Sequence, residues 1–369
     1  MKDAIPGESR ATCATCAMCR PAGSETPDTG ARADPSDPAS ARDSFLYFEP
    51  DAKCCTYVPD LPNFLVGRIL DDDSLPPHGR TSLAARLDAG TRVTPWGVGV
   101  AVPTALLLRH GRDAFGRSTT LRCPHYVPDL GTCGIRGHTD AVCATYFCKH
   151  DRGAVGGAFW EATEALLLVV QRDVARWCVA EIGLRADALE KLLCLDERLD
   201  APALDGRETD SRRRALWGEW YGREREFYRR AGEIAGQLDW ADVLRVSGPE
   251  VALRADVVSE RWRRLSSREI PDRLRPLPHE VIAASRHFVT VSTYRATDPL
   301  EISRALYDLL PAFDGRSTPE VLAATARSRG FAPPPEHVRA LVDFRLLGEP
   351  EGLSPLPRSP ESGTSATGR

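Results

Sequence analysis

Apolar residues recur near every 3.6 positions over residues 158–184, "AFWEATEALLLVVQRDVARWCVAEIGL", where Phe159, Leu166, Val170, Val174, Trp177 and Ile182 form one stripe and predict an amphipathic helix. A second apolar-periodic piece, residues 185–199, places Cys194 in a leucine cluster. Residues 211–238 combine Arg/Glu pairs at helical spacing with an aromatic stripe through Trp217, Trp220, Tyr221, Phe227 and Tyr228, as in a helix whose amphipathic face meets protein. Upstream, Val58, Pro59 and Asp60 predict a turn, and Phe64 to Leu70 a short helix or strand that stops at Asp71, Asp72 and Asp73. Those three aspartates read as a solvated turn in preference to a cation site. Near the C-terminus, residues 287–294 alternate as a strand does, and residues 298–313 open with Asp and Pro as a helix does. Another helix runs from an N-cap at Ser317, with Pro319 and Glu320 in its first turn, to a stop at Gly330, and a last one covers residues 335–347.

Three stretches have no such period. Residues 20–43 and the tail 351–369 are Pro, Gly, Ser, Ala, Thr and charge, too polar to offset the entropy of ordering. The third, residues 122–150, holds four cysteines between Pro, Gly and charged residues. The chain therefore divides into a Cys-containing N-terminal tail and linker (1–43), a cysteine-cluster domain (44–156), a helical region (157–284), a small winged-helix-like interaction domain (285–350) and a disordered tail (351–369). The expected fold class is mainly α, with an irregular metal-organised cysteine-cluster domain preceding the helices.

A formal charge of −4 over 369 residues supplies no cationic field for nucleic acid or an anionic membrane. The first residues lack the order of a secretory signal and no run of 18 apolar residues occurs, so a soluble cytoplasmic protein is expected. Eleven cysteines in a reducing compartment stay thiols unless metal or a redox cycle uses them.

Nine of the eleven fall into three groups: Cys13, Cys16 and Cys19; Cys54 and Cys55; Cys123, Cys133, Cys143 and Cys148. The other two, Cys178 and Cys194, sit in helical patterns and read as small buried hydrophobes. The first group is C-x2-C-x2-C, the opening of a ferredoxin-type run whose fourth ligand comes from elsewhere, and Cys54 or Cys55 can supply it if the linker folds back. The open spacing of the third group suits a loop folded around a metal, with Pro124, Gly131, Gly134 and Gly137 allowing sharp bends. Ligation would contribute the ordering free energy that so few apolar side chains cannot. Zinc and an iron–sulfur centre both suit thiolates. The surplus beyond four ligands points to iron–sulfur or to two metal sites, with Cys54, Cys55, Cys123, Cys133, Cys143 and Cys148 the leading ligands.

These cysteines resemble the YkgJ-type cysteine-cluster family, described as a zinc- or iron-chelating domain. Cys123-Pro124 matches the family's C-P start, Cys133-Gly134-Ile135 its second element and Cys143 its third. Cys13, Cys16, Cys19, Cys54 and Cys55 resemble its C-x2-C-x2-C-C motif split by an insertion. Asp140-Ala141-Val142 replaces the family's usual Arg-Pro, and Cys148 is additional. Some flagellin lysine methylases look like relatives of this family, which implies an S-adenosylmethionine-dependent enzyme as one alternative, although no motif for that cofactor is present. The C-terminal helix, Asp-Gly-Arg turn and helix are similar to PqqD-like peptide-binding modules and small winged helices. That implies an adaptor that binds a peptide or protein through residues 285–350. Arg327, Arg329, Arg339 and Arg345, offset by Glu336 and Asp343, give DNA readout little support.

His125, His138 and His150 lie inside the cysteine-rich segment as alternative ligands or tuning groups. Gly153, Gly156 and Gly157 read as a turn and helix start in preference to a phosphate cradle. No nucleophile elbow, H-E-x-x-H or kinase signature set occurs.

Overall fold

Helices built from the periodic segments carry most of the structured chain, and the protein is mainly α with short antiparallel sheets. The computed structural model describes residues 13, 16–19, 47–111, 114–185 and 210–350. Linker residues 20–43, the tail 351–369, and the helical piece expected at 185–199 with Cys194 (its first residue apart) lie outside the described residues.

Two compact units interleave along the sequence. The first takes Thr12–Tyr146 and Trp160–Ser259. It opens with β1 (Leu61–Pro62), α1 (Asn63–Asp71), α2 (Pro77–Ala89), β2 (Val93–Thr94) and β3 (Gly97–Val98), the strands pairing antiparallel in the order β1-β3-β2. Then come α3 (Val102–His110), the short pair β4 (Tyr126–Val127) and β5 (Thr132–Cys133), and α4 (Ala141–Thr145). The periodic segment at 158–184 forms the greater part of α5 (Gly153–Glu181), which belongs to this unit from Trp160 onward. By length and composition alone α5 is apolar enough to cross a membrane; Val174, Ala175, Cys178 and Val179 along it are buried in the unit's own cores.

Residues 211–238 do not form one helix. Gly218 and Gly222 take positive φ (52° and 82°), so the segment breaks into α6 (Asp210–Trp217), a 3-10 turn and α7 (Glu224–Gly236). The break folds the aromatic stripe onto itself. Trp217 packs edge-on against Phe227 and Tyr228 at 5.4 and 5.6 Å, and all three are fully buried. This is core, with Arg/Glu pairs such as Arg223–Glu226 and Arg230–Glu233 facing water. Two further helices follow, α8 (Trp240–Ser247) and α9 (Pro249–Ser266), the latter belonging to this unit as far as Ser259.

Helix α1 lies between two clusters. Val66 and Ile69 join Leu83, Val98, Ile135, Trp217 and Tyr228, while Phe64 and Leu65 join Val174, Ala175, Cys178 and Ile234. It crosses α7 where a side chain has no room: a Cβ at Gly67 would stand 1.9 Å from the Tyr228 carbonyl oxygen. Gly67→Ala is therefore expected to lower unfolding stability by roughly 1–3 kcal/mol, read as a reduced urea midpoint, because backbone must move to admit the methyl.

The second unit comprises Phe147–Phe159 and the chain from Glu260 onward. Its elements are β6 (Arg275–Pro276), β7 (Glu280–Ala284), β8 (Phe288–Ser292), β9 (Leu300–Ser303), α10 (Arg304–Tyr307), α11 (Thr318–Arg329), α12 (Pro335–Asp343) and β10 (Leu347–Gly348). Strands β7-β8-β9 form an antiparallel sheet, and β10 pairs with β6. The strand expected at 287–294 is β8, and α11 follows Ser317 and stops at Gly330 in the left-handed conformation, although the Ser317 hydroxyl donates to Asp272 at 3.0 Å and makes no cap bond.

Two boundaries differ from expectation. Residues 300–303 are strand, not helix, and pair with β8 from Val291↔Leu300 to Phe288↔Ser303. Ile302, Val289 and Val291 thereby share a buried core, and the helix starts only where the Ser303 hydroxyl caps the Leu306 N–H at 3.2 Å. The final helix ends at Asp343, because Arg345 takes φ 59° and turns Leu347 into its pairing with Pro276.

Candidate metal centre

The cysteine-rich segment has almost no regular structure because its shape is set by a few backbone contacts. The N–H of Cys123 donates to the carbonyl of Cys55 at 2.6 Å, joining the distal cysteines to the central pair. Cys133 lies on β5 opposite Tyr126, and Gly134 donates to the His125 carbonyl at 2.7 Å to close the hairpin. Helix α2 approaches this hairpin so closely that a Cβ on Gly79 would sit 1.9 Å from the Gly134 carbonyl oxygen. Cys143 is fixed by α4, whose N-cap Asp140 accepts its backbone N–H at 2.9 Å.

The N-terminal group docks on the same framework. Cys19 N–H bonds to the Cys16 carbonyl at 2.9 Å, Met18 is fully buried, and its carbonyl accepts the Phe48 N–H at 2.6 Å. Lys53 ties all three groups together. Its ammonium donates to the Cys13 carbonyl at 2.7 Å and to the Gly131 carbonyl at 2.6 Å, and Cys54 follows it directly. Arg136 donates to the Cys13 sulfur at 3.5 Å.

Eight sequence-predicted residues thus share one unit as free thiols: Cys13, Cys16, Cys19, Cys54, Cys55, Cys123, Cys133 and Cys143. Cys148 belongs to the second unit and is buried there. Cys178 is a fully buried member of the α1–α5–α7 core.

Their electrostatics follow from crowding sulfur in a half-buried space. Hydrogen bonding to Cys54, then burial, then the neighbouring Cys54, Cys133 and Cys123 push the Cys55 thiol far up, and the same bond lowers Cys54 to about 7, with Arg136 and Lys53 assisting. Burial, then Cys16, raises Cys19 to about 12. Burial raises Cys123 to about 12, with Cys133 adding and Arg86 opposing. Burial also raises Cys133, which feels Cys13 and Cys54, and Cys143, which feels Asp140, Cys123 and Cys133. A cation would reverse this repulsion by favouring the thiolates. Among the described residues, no three His, Cys, Asp or Glu side chains are already arranged to hold an ion. As a donor type, deprotonated thiols suit a soft metal or an iron–sulfur core.

The histidines are occupied by protein partners. His125 is fully buried, accepts from Arg86 at 2.9 Å through Nε2 and meets the Ser82 hydroxyl at 2.7 Å through Nδ1. Ser82 in turn donates to the Gly79 carbonyl at 2.8 Å, so the ring holds its proton on Nδ1. Burial, then Arg86, depresses it to about 3, so it stays neutral. His138 pairs with Asp72 at 2.7 Å, in the acidic turn that ends α1. His150, in the second unit, contacts Tyr294 at 3.1 Å, and burial lowers it to about 4. Asp71, the last residue of α1, and Asp73 pair with Arg229 and Arg80.

Sequence reading missed the cations. Lys53 and Arg136 stand beside cysteines in "DAKCC" and "CGIRG", a legible signal for stabilised thiolate. Arg86 has no such signal; it reaches Cys123 only because α2 packs there, held by the Pro59, Val98 and Gly99 carbonyls at 3.4, 3.3 and 3.0 Å. Comparison of the chain with protein-family models, with curated proteins and with solved structures gives no match in any of the three.

Proposed function

We propose that this protein is a thiolate metalloprotein of the YkgJ-like cysteine-cluster type, carrying an iron–sulfur centre or zinc in its first unit and serving a redox, sensing or structural role. One observation carries the reading: cysteines more than a hundred positions apart fall in one compact unit as free thiols, with Lys53, Arg136 and Arg86 among them. Positive side chains at that place suit a core whose thiolates leave it net negative. Anaerobic purification followed by metal and sulfide analysis tests this. Iron with acid-labile sulfide and a brown absorption band, or stoichiometric zinc without colour, is the expected outcome. Protein that binds neither, with every thiol open to alkylation, overturns it.

We infer further that residues 285–350 form a winged-helix-like module that takes a peptide or partner protein. The support is an antiparallel sheet beside α11 and α12 that leaves Phe288 and Phe331 half exposed. Replacing both by Glu is expected to abolish capture of that partner by the full chain with metal content unchanged; undiminished capture counts against it.

A further inference from the structure

The N-terminal turn and the hairpin β4–β5 are attached to residues 47–57 in different ways. Met18 is fully buried, and its carbonyl accepts the Phe48 N–H at 2.6 Å. The Cys13 carbonyl accepts the Lys53 ammonium at 2.7 Å, and the Cys13 sulfur takes a long bond of 3.5 Å from exposed Arg136. The hairpin has ties of its own: the Cys123 N–H donates to the Cys55 carbonyl at 2.6 Å, and the Tyr126 hydroxyl to the Pro50 carbonyl at 3.4 Å. Lys53 stands where the two attachments meet, because its second bond, at 2.6 Å, goes to the Gly131 carbonyl on the hairpin loop.

Three features fit Lys53 to this task. Its backbone holds φ 50°, a left-handed conformation uncommon for a residue with a Cβ and kept only where the surroundings impose it. Gly131 takes φ 60°, and a Cβ there would stand 2.9 Å from the Lys53 nitrogen, so the acceptor lies on a residue that leaves the ammonium room. The chain uses lysine at only four of its 48 Lys and Arg positions, and one of them is here, where a compact ammonium with three donors serves carbonyls from two separate segments.

We propose that residues 16–19, with Cys13, form a releasable strap over the central cysteine pair, docked by the Met18 side chain and clasped by Lys53, so that release of the clasp opens Cys54 to solvent without loosening the hairpin. The strap thiols adjoin what they cover: Cys19 feels Lys53 and Cys54, and Cys133 feels Cys13. The device needs no bound metal.

Hydrogen exchange of the full chain with a chelator present tests the clasp, and N-ethylmaleimide labelling resolved by peptide mapping tests the cover. Lys53→Met keeps the aliphatic stem and removes the donors. Lys53→Gly also removes the donors and adopts φ 50° without strain, so it serves if the first variant fails to fold. Loss of two hydrogen bonds from a charged donor is expected to raise exchange at Cys19 and Phe48, and the labelling rate of Cys54, at least about tenfold in both variants. Amides of α1 and α7 should exchange as in the wild type, and fully buried Cys178 should stay unlabelled. Wild-type exchange at Cys19 and Phe48 in both variants overturns the clasp. Faster exchange there with unchanged labelling of Cys54 overturns the cover. Faster exchange throughout α1 and α7 as well shows that Lys53 supports the whole unit, which overturns the strap.

Discussion

On the proposed metalloprotein reading, acidifying the cobalt(II)-loaded protein from about pH 8 to about pH 6 is expected to release the ion, with the apparent association constant falling by up to about 10⁴-fold per pH unit for a four-thiol centre. The cause is competition between proton and metal for the same sulfur. Cys19 and Cys123 are held near 12, and Cys55, Cys133 and Cys143 are also raised, so in the metal-free protein these thiols keep their protons at neutral pH and must give them up on ligation. Cys54, near 7, is already half ionised there, so the dependence steepens once the pH drops below that value. A competition titration against a pH-insensitive colorimetric chelator measures the slope; a flat profile would remove thiols from the ligand set.

The metal-free protein is expected to show the opposite trend. A thiol whose folded value stands above its unfolded value of 9.0 stays neutral in the fold while ionising in the unfolded chain. Its stabilising contribution is whole below about pH 9 and is lost as the pH climbs toward 12. Cys54, lowered in the fold, acts the other way: its contribution is present above about pH 9 and disappears as the pH falls through about 7. Six raised thiols, Cys178 among them, against one lowered make alkaline instability the net result, visible as a falling urea midpoint as the pH rises above about 9 toward 12.

What the sequence discloses here depends on how local the cause is. Periodicity in residues 158–184 and the cap signals around Ser317 and Gly330 are set by neighbours in the chain, and both produce the helices they predict. Strand β9 was hidden because an Asp-Pro opening looks helical, and only the buried Val289 and Val291 across the sheet select the extended form. The break at Gly218 and Gly222 was hidden for a similar reason: helical spacing of Arg and Glu runs through it, while burial of Trp217 against Phe227 and Tyr228 demands a fold-back. At the thiols, residue type and order single out nine cysteines, of which eight fall in the first unit and Cys148 in the second. They do not disclose the clasp, because Lys53 acts through carbonyls of Cys13 and Gly131, forty and seventy-eight positions away, which no spacing rule connects.

Asp343→Asn is expected to destabilise the second unit by about 3–5 kcal/mol. Asp343 is 5% exposed and accepts a bidentate pair from Arg152, Nε to Oδ2 and NH2 to Oδ1, both at 2.8 Å, and a third bond from Arg339 Nε at 2.8 Å. Arg152 also donates to the Leu265 and Ser267 carbonyls, so the guanidinium joins the start of α5, the end of α9 and the end of α12. An amide of the same shape accepts through one atom only and repels through the other, leaving two half-buried cations without their counter-charge. Burial already disfavours the charged form of Arg339, which Asp343 offsets. The loss should therefore be larger than that of any exposed pair, such as Arg304–Asp308, whose removal is expected to cost below about 1 kcal/mol. Chemical denaturation of Asp343→Asn, Arg152→Met and the double variant gives the coupling. A double variant markedly more stable than Asp343→Asn alone is the expected sign of an unpaired buried charge, whereas additive losses would show that Asp343 acts by packing.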